Sequence, residues 1–129
     1  MNQTKLDGIL YDILPENQVR DYVVEVCEKE WSAQDFPVVG EDLYKSSWKL
    51  EEVEVAKITP NAVLLLRDSF QADLKPRIVK QAELHALNAA IPPLILRGKD
   101  LFIFDGYARY HFFKSIGVRR CLAYVGRRA

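Results

Sequence analysis

The chain has 129 residues, with 18 Lys and Arg against 18 Asp and Glu, so its formal net charge is zero. This length fits one domain, and a hydrophobic fraction of 49% supplies a packed core, which excludes a disordered or fibrous chain. There is no apolar run of the roughly 18 residues that a membrane span needs, and no secretory signal at the N-terminus. We therefore expect a cytoplasmic, single-domain protein with no membrane partner.

The zero net charge is a sum of unequal parts. Residues 1–56 carry 13 acids and five bases, a net of −8, whereas residues 97–129 carry eight bases and two acids, a net of +6. Either the basic third binds an anionic partner, or the acidic and basic parts pack together and neutralise each other. Cys27 and Cys121 lie far apart without a CxxC motif, so we expect inert core thiols and no metal site.

The first third predicts one helix followed by a loop-rich connection. The helix runs from Pro15, which suits a first-turn position, to Trp31. Its apolar residues recur at helical spacing on one stripe: Val19, Tyr22, Val23, Val26, Cys27 and Trp31. This acidic helix either covers the core or forms an oligomer contact. Residues 32–47, with Pro37 and Gly40, read as loop.

The middle third predicts two strands and a helix. Residues 50–58 alternate like a half-buried strand, and Thr59-Pro60-Asn61 breaks the alternation. Residues 62–66 form a short apolar run that reads as a buried strand. A second helix is predicted from Pro76 to Ala90, because the segment begins at a proline and is rich in helix formers.

The last third predicts a hairpin, a helix and a final strand. The segments are a strand within 91–96, a turn at 97–100, a strand at 101–104, a helix at 107–116 closed by Gly117, and a strand at 121–125. The element order indicates an α+β domain with a small mixed sheet. We divide the chain into an N-terminal helical extension, residues 1–49, packed on a core domain, residues 50–129.

The segment Phe104-Asp105-Gly106-Tyr107-Ala108-Arg109 carries the clearest chemistry. A strand ends, Gly106 turns the chain, and a helix begins whose free N–H groups form a site for phosphate. On this interpretation Asp105 caps the helix by accepting from the Ala108 N–H, and Arg109 grips the anion as a fork. Tyr107 and His111, four residues apart, would stack a ligand beside it. The alternative is that Asp-Gly simply turns the chain and Arg109 lies on the surface.

The same segment is part of a longer resemblance. Pro92-Pro93-Leu94-Ile95-Leu96, the hairpin, Asp105-Gly106-x-x-Arg109 and the final Gly117-Val118 strand resemble the ParB/sulfiredoxin superfamily, with its "PPIxV" strand and "DGxHR" or "GxRR" turn. Val53-x-Val55-x-x-Ile58-x-Pro60-Asn61 is similar to the strand that starts the family domain. The resemblance covers about residues 50–126.

The resemblance implies a nucleotide, ATP or CTP with Mg²⁺, held by its phosphates at the helix N-terminus. The implied ligand-binding residues are Asp105, Gly106, Tyr107, Ala108 and Arg109, joined by Asn61 and by Arg67 from the following polar loop. The superfamily includes free-serine kinases, so the resemblance also implies nucleotide hydrolysis or phosphotransfer as an activity. Sulfiredoxins carry a cysteine where this chain has Tyr107, so repair of sulfinic acid is not expected.

Catalysis and nucleic-acid binding are left open at this point. Ala108 and Asn61 replace a histidine and a glutamate of the free-serine kinases, which leaves no catalytic residue identifiable. The alternative function is a non-catalytic regulatory or DNA-associated module of the same fold. DNA contact would come from four basic residues acting on the phosphate backbone: Arg119, Arg120, Arg127 and Arg128. Otherwise Arg119 and Arg120 form a solvated turn, and Arg127 and Arg128 form a frayed tail.

Overall fold

A computed structural model describes residues 2–31 and 36–128, with the backbone alone for 36–39. It is a mixed α+β fold, which confirms the predicted fold class. The main sheet has four strands in the order β3–β6–β4–β5. These are β3 (Ser46–Glu54), β4 (Leu94–Arg97), β5 (Phe102–Asp105) and β6 (Arg120–Arg128). The outer pairs are antiparallel, while β4 and β6 run parallel, so the sheet is mixed as expected.

The N-terminal part begins with a β-hairpin that our sequence analysis missed. Strands β1 (Asn2–Leu6) and β2 (Ile9–Ile13) pair antiparallel around Asp7 and Gly8, both at positive φ. An Asp-Gly pair between two strand-like runs is a strong hairpin signal, so the turn was present in the sequence. The Asp7 carboxylate accepts hydrogen bonds from the backbone N–H groups of Arg119, at 2.7 Å, and Arg120, at 3.4 Å.

The first predicted helix is confirmed within one residue. Helix α1 runs over Glu16–Glu30 and buries Val19, Val23 and Cys27 of the predicted stripe. The loop prediction for 32–47 is wrong where the structure describes it, because α2 (Phe36–Lys45) and the start of β3 occupy it. Pro37 is the second residue of α2, where a missing N–H costs nothing. Residues 32–35 of that prediction lie outside the described residues, and the boundary at 49/50 falls inside β3.

The middle of the chain is helical where we expected a strand. The predicted strand 50–58 ends at Glu54 and passes into a short 3-10 helix, Val55–Lys57. The apolar run 62–66 forms α3 (Ala62–Leu65), and its exposed Val63 rules out the buried strand. Asn61 favours a helix over a strand here, because its side chain caps α3 by accepting from the Val63 and Leu64 N–H groups.

Helix α4 (Asp68–Ala86) is longer than predicted at its N-terminus and ends earlier. Pro76 lies inside this helix, where we expected it to begin one. The missing proline N–H costs one intrahelical bond, which the 19-residue helix accommodates.

The last third follows the prediction closely. The hairpin β4–β5 and helix α5 (Tyr107–Ser115) are present, and Gly117 has a φ of 76° after the helix. Strand β6 is longer than expected and extends through Arg128. The frayed-tail reading of Arg127 and Arg128 is therefore wrong, because both pair with β3 across the ladder.

Both faces of the sheet are covered. On one face, α5, α4 and the N-terminal hairpin pack against Leu94, Leu96 and their neighbours. On the other face, α1, Leu43 of α2 and Trp48 pack against Ile95, Phe104 and Tyr124. The alternation along β4 sends Leu94 and Leu96 to one side and Ile95 to the other. Within the described part of the chain, every helix is too short or too polar to traverse a bilayer.

Candidate functional site

A cleft of about 660 Å³ opens where β5 passes into α5. Its volume lies within the range of about 300–1,000 Å³ that small-molecule sites occupy. Three parts of the chain form the walls: the end of α1, the segment from Asn61 through α4, and the turn from Phe104 to Arg109. All seven predicted ligand-binding residues line it, namely Asn61, Arg67, Asp105, Gly106, Tyr107, Ala108 and Arg109.

Gly106 shapes the floor of this cleft. Its φ of 114° is a left-handed conformation that side chains rarely adopt, and it is the residue from which α5 starts. A Cβ at this position would collide with the side chain of Leu94 and come within 3.0 Å of the Arg109 guanidinium. The glycine thus permits both the turn and the close approach of Arg109 to the helix start.

Asp105 does not cap α5 as we expected. Since Gly106 occupies the capping position, Asp105 lies one residue outside, and its carboxylate accepts from Arg109 Nη2 at 2.8 Å. Both side chains are largely buried, with 12% of Arg109 and 20% of Asp105 exposed. Within the described residues, the α5 N-terminus has no side-chain cap, which leaves its first N–H groups for a ligand.

The Arg109 guanidinium is therefore fixed in an ion pair with Asp105, so it does not offer both of its terminal nitrogens freely to an anion. Its Nη2 is committed to Asp105, and its buried Nε has no hydrogen-bond partner among the described residues. The surface alternative is also wrong, since the side chain is mostly buried. A carboxylate that fixes a guanidinium in this way orients it but weakens its charge toward a ligand.

Tyr107 holds two walls of the cleft together. Its hydroxyl accepts from the backbone N–H of Asn61 at 2.8 Å, and its ring packs edge-to-face on Phe70 with centroids 5.2 Å apart. Burial raises the pKa of the Tyr107 hydroxyl to about 12. His111, the other residue predicted to stack a ligand, is not among the residues that line the cleft, and its ring packs on Tyr110. Tyr107 and Asn61 thus act by positioning α3 beside α5.

The cleft contains residues that the sequence analysis did not select. Arg77 and Lys80 of α4 line it together with Arg67, the residue before α4. Arg77 forms ion pairs with Asp73, at 3.2 Å, and across the cleft with Glu30 of α1, at 3.9 Å. Helical spacing brings Arg77 and Lys80 to one face, but only the tertiary fold brings that face opposite the Asp105–Arg109 turn.

The four arginines named for nucleic acid do not line the cleft. Three of them meet carboxylates: Arg127 with Glu51 at 2.8 Å, Arg128 with Asp42 at 3.3 Å, and Arg120 with Glu52 at 3.4 Å. Arg119 contributes its backbone N–H to Asp7. The solvated-turn reading of Arg119 and Arg120 is thus wrong for Arg120, which begins β6. Their role toward nucleic acid stays a prediction.

The two cysteines behave as core residues. Both are completely buried, and burial raises the pKa of each thiol to about 12. Their burial confirms that both are core residues, and the raised pKa favours the protonated thiol near neutral pH. Among residues 2–31 and 36–128, no group of three or more His, Cys, Asp or Glu is arranged to hold a metal ion.

Comparison with solved structures finds chains that are similar to this one. The chain is similar to a structure of a Pnob8-like ParB-N domain in a C2221 crystal form, with a TM-score of 0.47 and 18% identity over 65% of this chain. It is also similar to a structure of the pNOB8-like ParB N-domain, with a TM-score of 0.38 and 22% identity over 62% of this chain. The matches cover 31% and 28% of those chains, so this chain spans less than a third of each. No family model and no curated protein matches the sequence.

Proposed function

We propose that this protein binds a nucleotide, or a comparably small phosphate-bearing ligand, in the cleft at the N-terminus of α5. The main support is that all seven residues predicted from the sequence to bind the ligand, from Asn61 to Arg109, line one cleft of about 660 Å³. An uncapped helix N-terminus offers N–H donors and a positive dipole end to a phosphate. Arg109 adds a positive charge one turn into the helix.

The charge of the cleft supports an anionic ligand of small size. Among the described residues, four cations line it, from Arg67, Arg77, Lys80 and Arg109, against three carboxylates, from Glu30, Asp73 and Asp105. The net excess is small, which suits one ligand held at one place better than a long polyanion. Apolar side chains complete the walls, including Leu64, Phe70 and Leu74.

The proposal covers binding and not turnover. Each of the three carboxylates that the structure describes in the cleft contacts an arginine: Asp105 contacts Arg109, while Asp73 and Glu30 contact Arg77. A general base must reach the proton that it removes, and these carboxylates are engaged elsewhere. A regulatory binding module fits this arrangement better than a nucleotide hydrolase or a phosphotransferase.

The test is a thermal-shift panel with ATP, CTP, GTP and ADP, each with and without Mg²⁺. At about 100 times its Kd a ligand adds about 2.7 kcal/mol to the free energy of unfolding, which raises the Tm by several degrees. We expect such a rise for at least one nucleotide. Arg109→Gln should weaken that binding roughly 10- to 100-fold, because a charged hydrogen bond is worth about 1.5–3 kcal/mol.

Arg97→Gln is the matched control. Arg97 is also mostly buried, with 15% of its side chain exposed, and it also pairs with a nearby aspartate, Asp100, at 2.8 Å. Because each variant breaks a partly buried ion pair, both should lower the Tm of the free protein. Arg97 lies outside the cleft, so only Arg109→Gln should lose the response to nucleotide. The absence of a shift with every nucleotide would refute nucleotide binding in this cleft.

A further inference from the structure

Trp31, at the end of α1, lies in the cleft although it falls outside the region that resembles a known family. Its indole N–H donates to the backbone carbonyl of Phe104 at 2.8 Å. Phe104 immediately precedes the Asp105-Gly106 turn, so the bond ties the indole ring directly to the start of α5. Trp31 is half-buried and lines the cleft.

Packing against the sheet fixes the orientation of this indole ring. It meets the Phe104 ring edge-to-face, with centroids 6.0 Å apart and planes at 76°, and the Phe102 ring with centroids 6.4 Å apart. Two ring contacts and one hydrogen bond leave the side chain few alternative rotamers. A flat aromatic surface is thus preorganised at the edge of the cleft, and its ordering cost is met before any ligand binds.

We propose that Trp31 is the stacking platform for the base of a nucleoside phosphate whose phosphates lie at the α5 N-terminus. This inference rests on the proposed function and narrows its ligand from phosphate-bearing molecules in general to those with a planar base. Apolar side chains of the α3–α4 wall, among them Leu64 and Phe70, line the same cleft. Stacking on an aromatic side chain accepts any base, since every base has a flat face.

The experiment compares nucleotides with inorganic tripolyphosphate, which carries the phosphates without a base. Titration calorimetry is run on the wild type, Trp31→Phe and Trp31→Leu, with ATP, CTP, GTP and tripolyphosphate. Both variants lose the indole hydrogen bond, but only Trp31→Phe keeps a flat ring.

We expect the best nucleotide to bind the wild type roughly 5- to 100-fold more tightly than tripolyphosphate. Trp31→Phe should keep most of this preference and Trp31→Leu should lose it, while the affinity for tripolyphosphate stays the same in all three proteins. Equal affinity of the wild type for nucleotide and tripolyphosphate, or an undiminished preference in Trp31→Leu, would overturn the role of Trp31 and leave the proposed function standing. Failure of every ligand to bind the wild type would overturn both.

Discussion

Gly106 is the residue on which the geometry of the site depends most. Its backbone is left-handed, and the space where a Cβ would project is filled by the side chains of Leu94 and Arg109. Gly117, at the other end of α5, is also left-handed with a φ of 76°, but a Cβ there would meet nothing within 4 Å. Comparing an alanine substitution at each glycine therefore separates the effect of backbone strain from that of steric crowding.

Gly106→Ala should lower the free energy of unfolding by about 2–3 kcal/mol, since it combines a strained φ with a collision. Gly117→Ala carries the strain alone and should cost about 1 kcal/mol. Urea denaturation of the two variants measures both values. Equal losses would show that a Cβ at position 106 meets no costly collision with Leu94 or Arg109.

At the scale of single residues, the sequence predicted which residues form the turn but not which side chains contact each other. The Asp-Gly-x-x-Arg spacing placed Asp105, Gly106 and Arg109 together correctly. It did not reveal that Gly106 takes the capping position and turns Asp105 toward Arg109, because that depends on one backbone angle. Trp31 and Arg77 could not be found at all, since they reach the site only through the packing of α1 and α4.

Among the elements, α3 and α5 are coupled through one buried hydroxyl. Tyr107 of α5 accepts from the N–H of Asn61, whose side chain caps α3. The pKa of Tyr107 is raised to about 12, chiefly because burial disfavours its phenolate, against 10.0 for the free side chain. The folded state therefore binds this proton more tightly than the unfolded chain.

The sign of the pH dependence follows from that difference. The contribution of Tyr107 is fully present below pH 10 and is lost as the pH rises towards 12. At pH 11 the loss amounts to about 1.4 kcal/mol, because the unfolded chain has then released its proton about ten times more readily than the folded protein. Urea denaturation at pH 8 and pH 11 should show that the wild type loses more stability between these pH values than Tyr107→Phe. The difference in the free energy of unfolding at pH 8 between the wild type and Tyr107→Phe measures the lost hydrogen bond separately. An identical pH dependence of stability in both proteins would contradict the raised pKa of Tyr107.

The elements themselves were predicted unevenly, and the reasons are physical. Helices α1 and α5 carry apolar stripes or clear start signals, and both were found. The run 62–66 is apolar without being buried, with Leu66 82% exposed, so its hydrophobicity suggested a strand that does not exist. The α2 segment was obscured by Pro37 and Gly40, which read as loop residues although the first turn of a helix accepts the proline.

Over the whole molecule, the opposite charges of the two ends meet in the sheet. Strand β3 of the acidic part lies beside β6 of the basic part, and Glu51 pairs with Arg127 while Glu52 pairs with Arg120. Of the two readings of the charge asymmetry, mutual neutralisation is thus observed at these pairs. The pairs are exposed and contribute little stability, but they reduce the positive field that would draw nucleic acid.

The N-terminal part is more than a cover for the core. It supplies the β1–β2 hairpin, the helix that covers one face of the sheet, and the Trp31 wall of the cleft. The predicted ligand-binding residues lie within 50–126, and Val26, Glu30 and Trp31 complete the lining of the cleft from the N-terminal part.

The most direct test of phosphate binding at the α5 N-terminus is an amide chemical-shift titration of the full chain with the nucleotide that gives the largest thermal shift. We expect the largest perturbations at the backbone amides of Gly106, Tyr107 and Ala108, with the Trp31 indole N–H also shifted. Perturbations confined to residues 119–128, or none at saturating nucleotide, would contradict phosphate binding at this helix end.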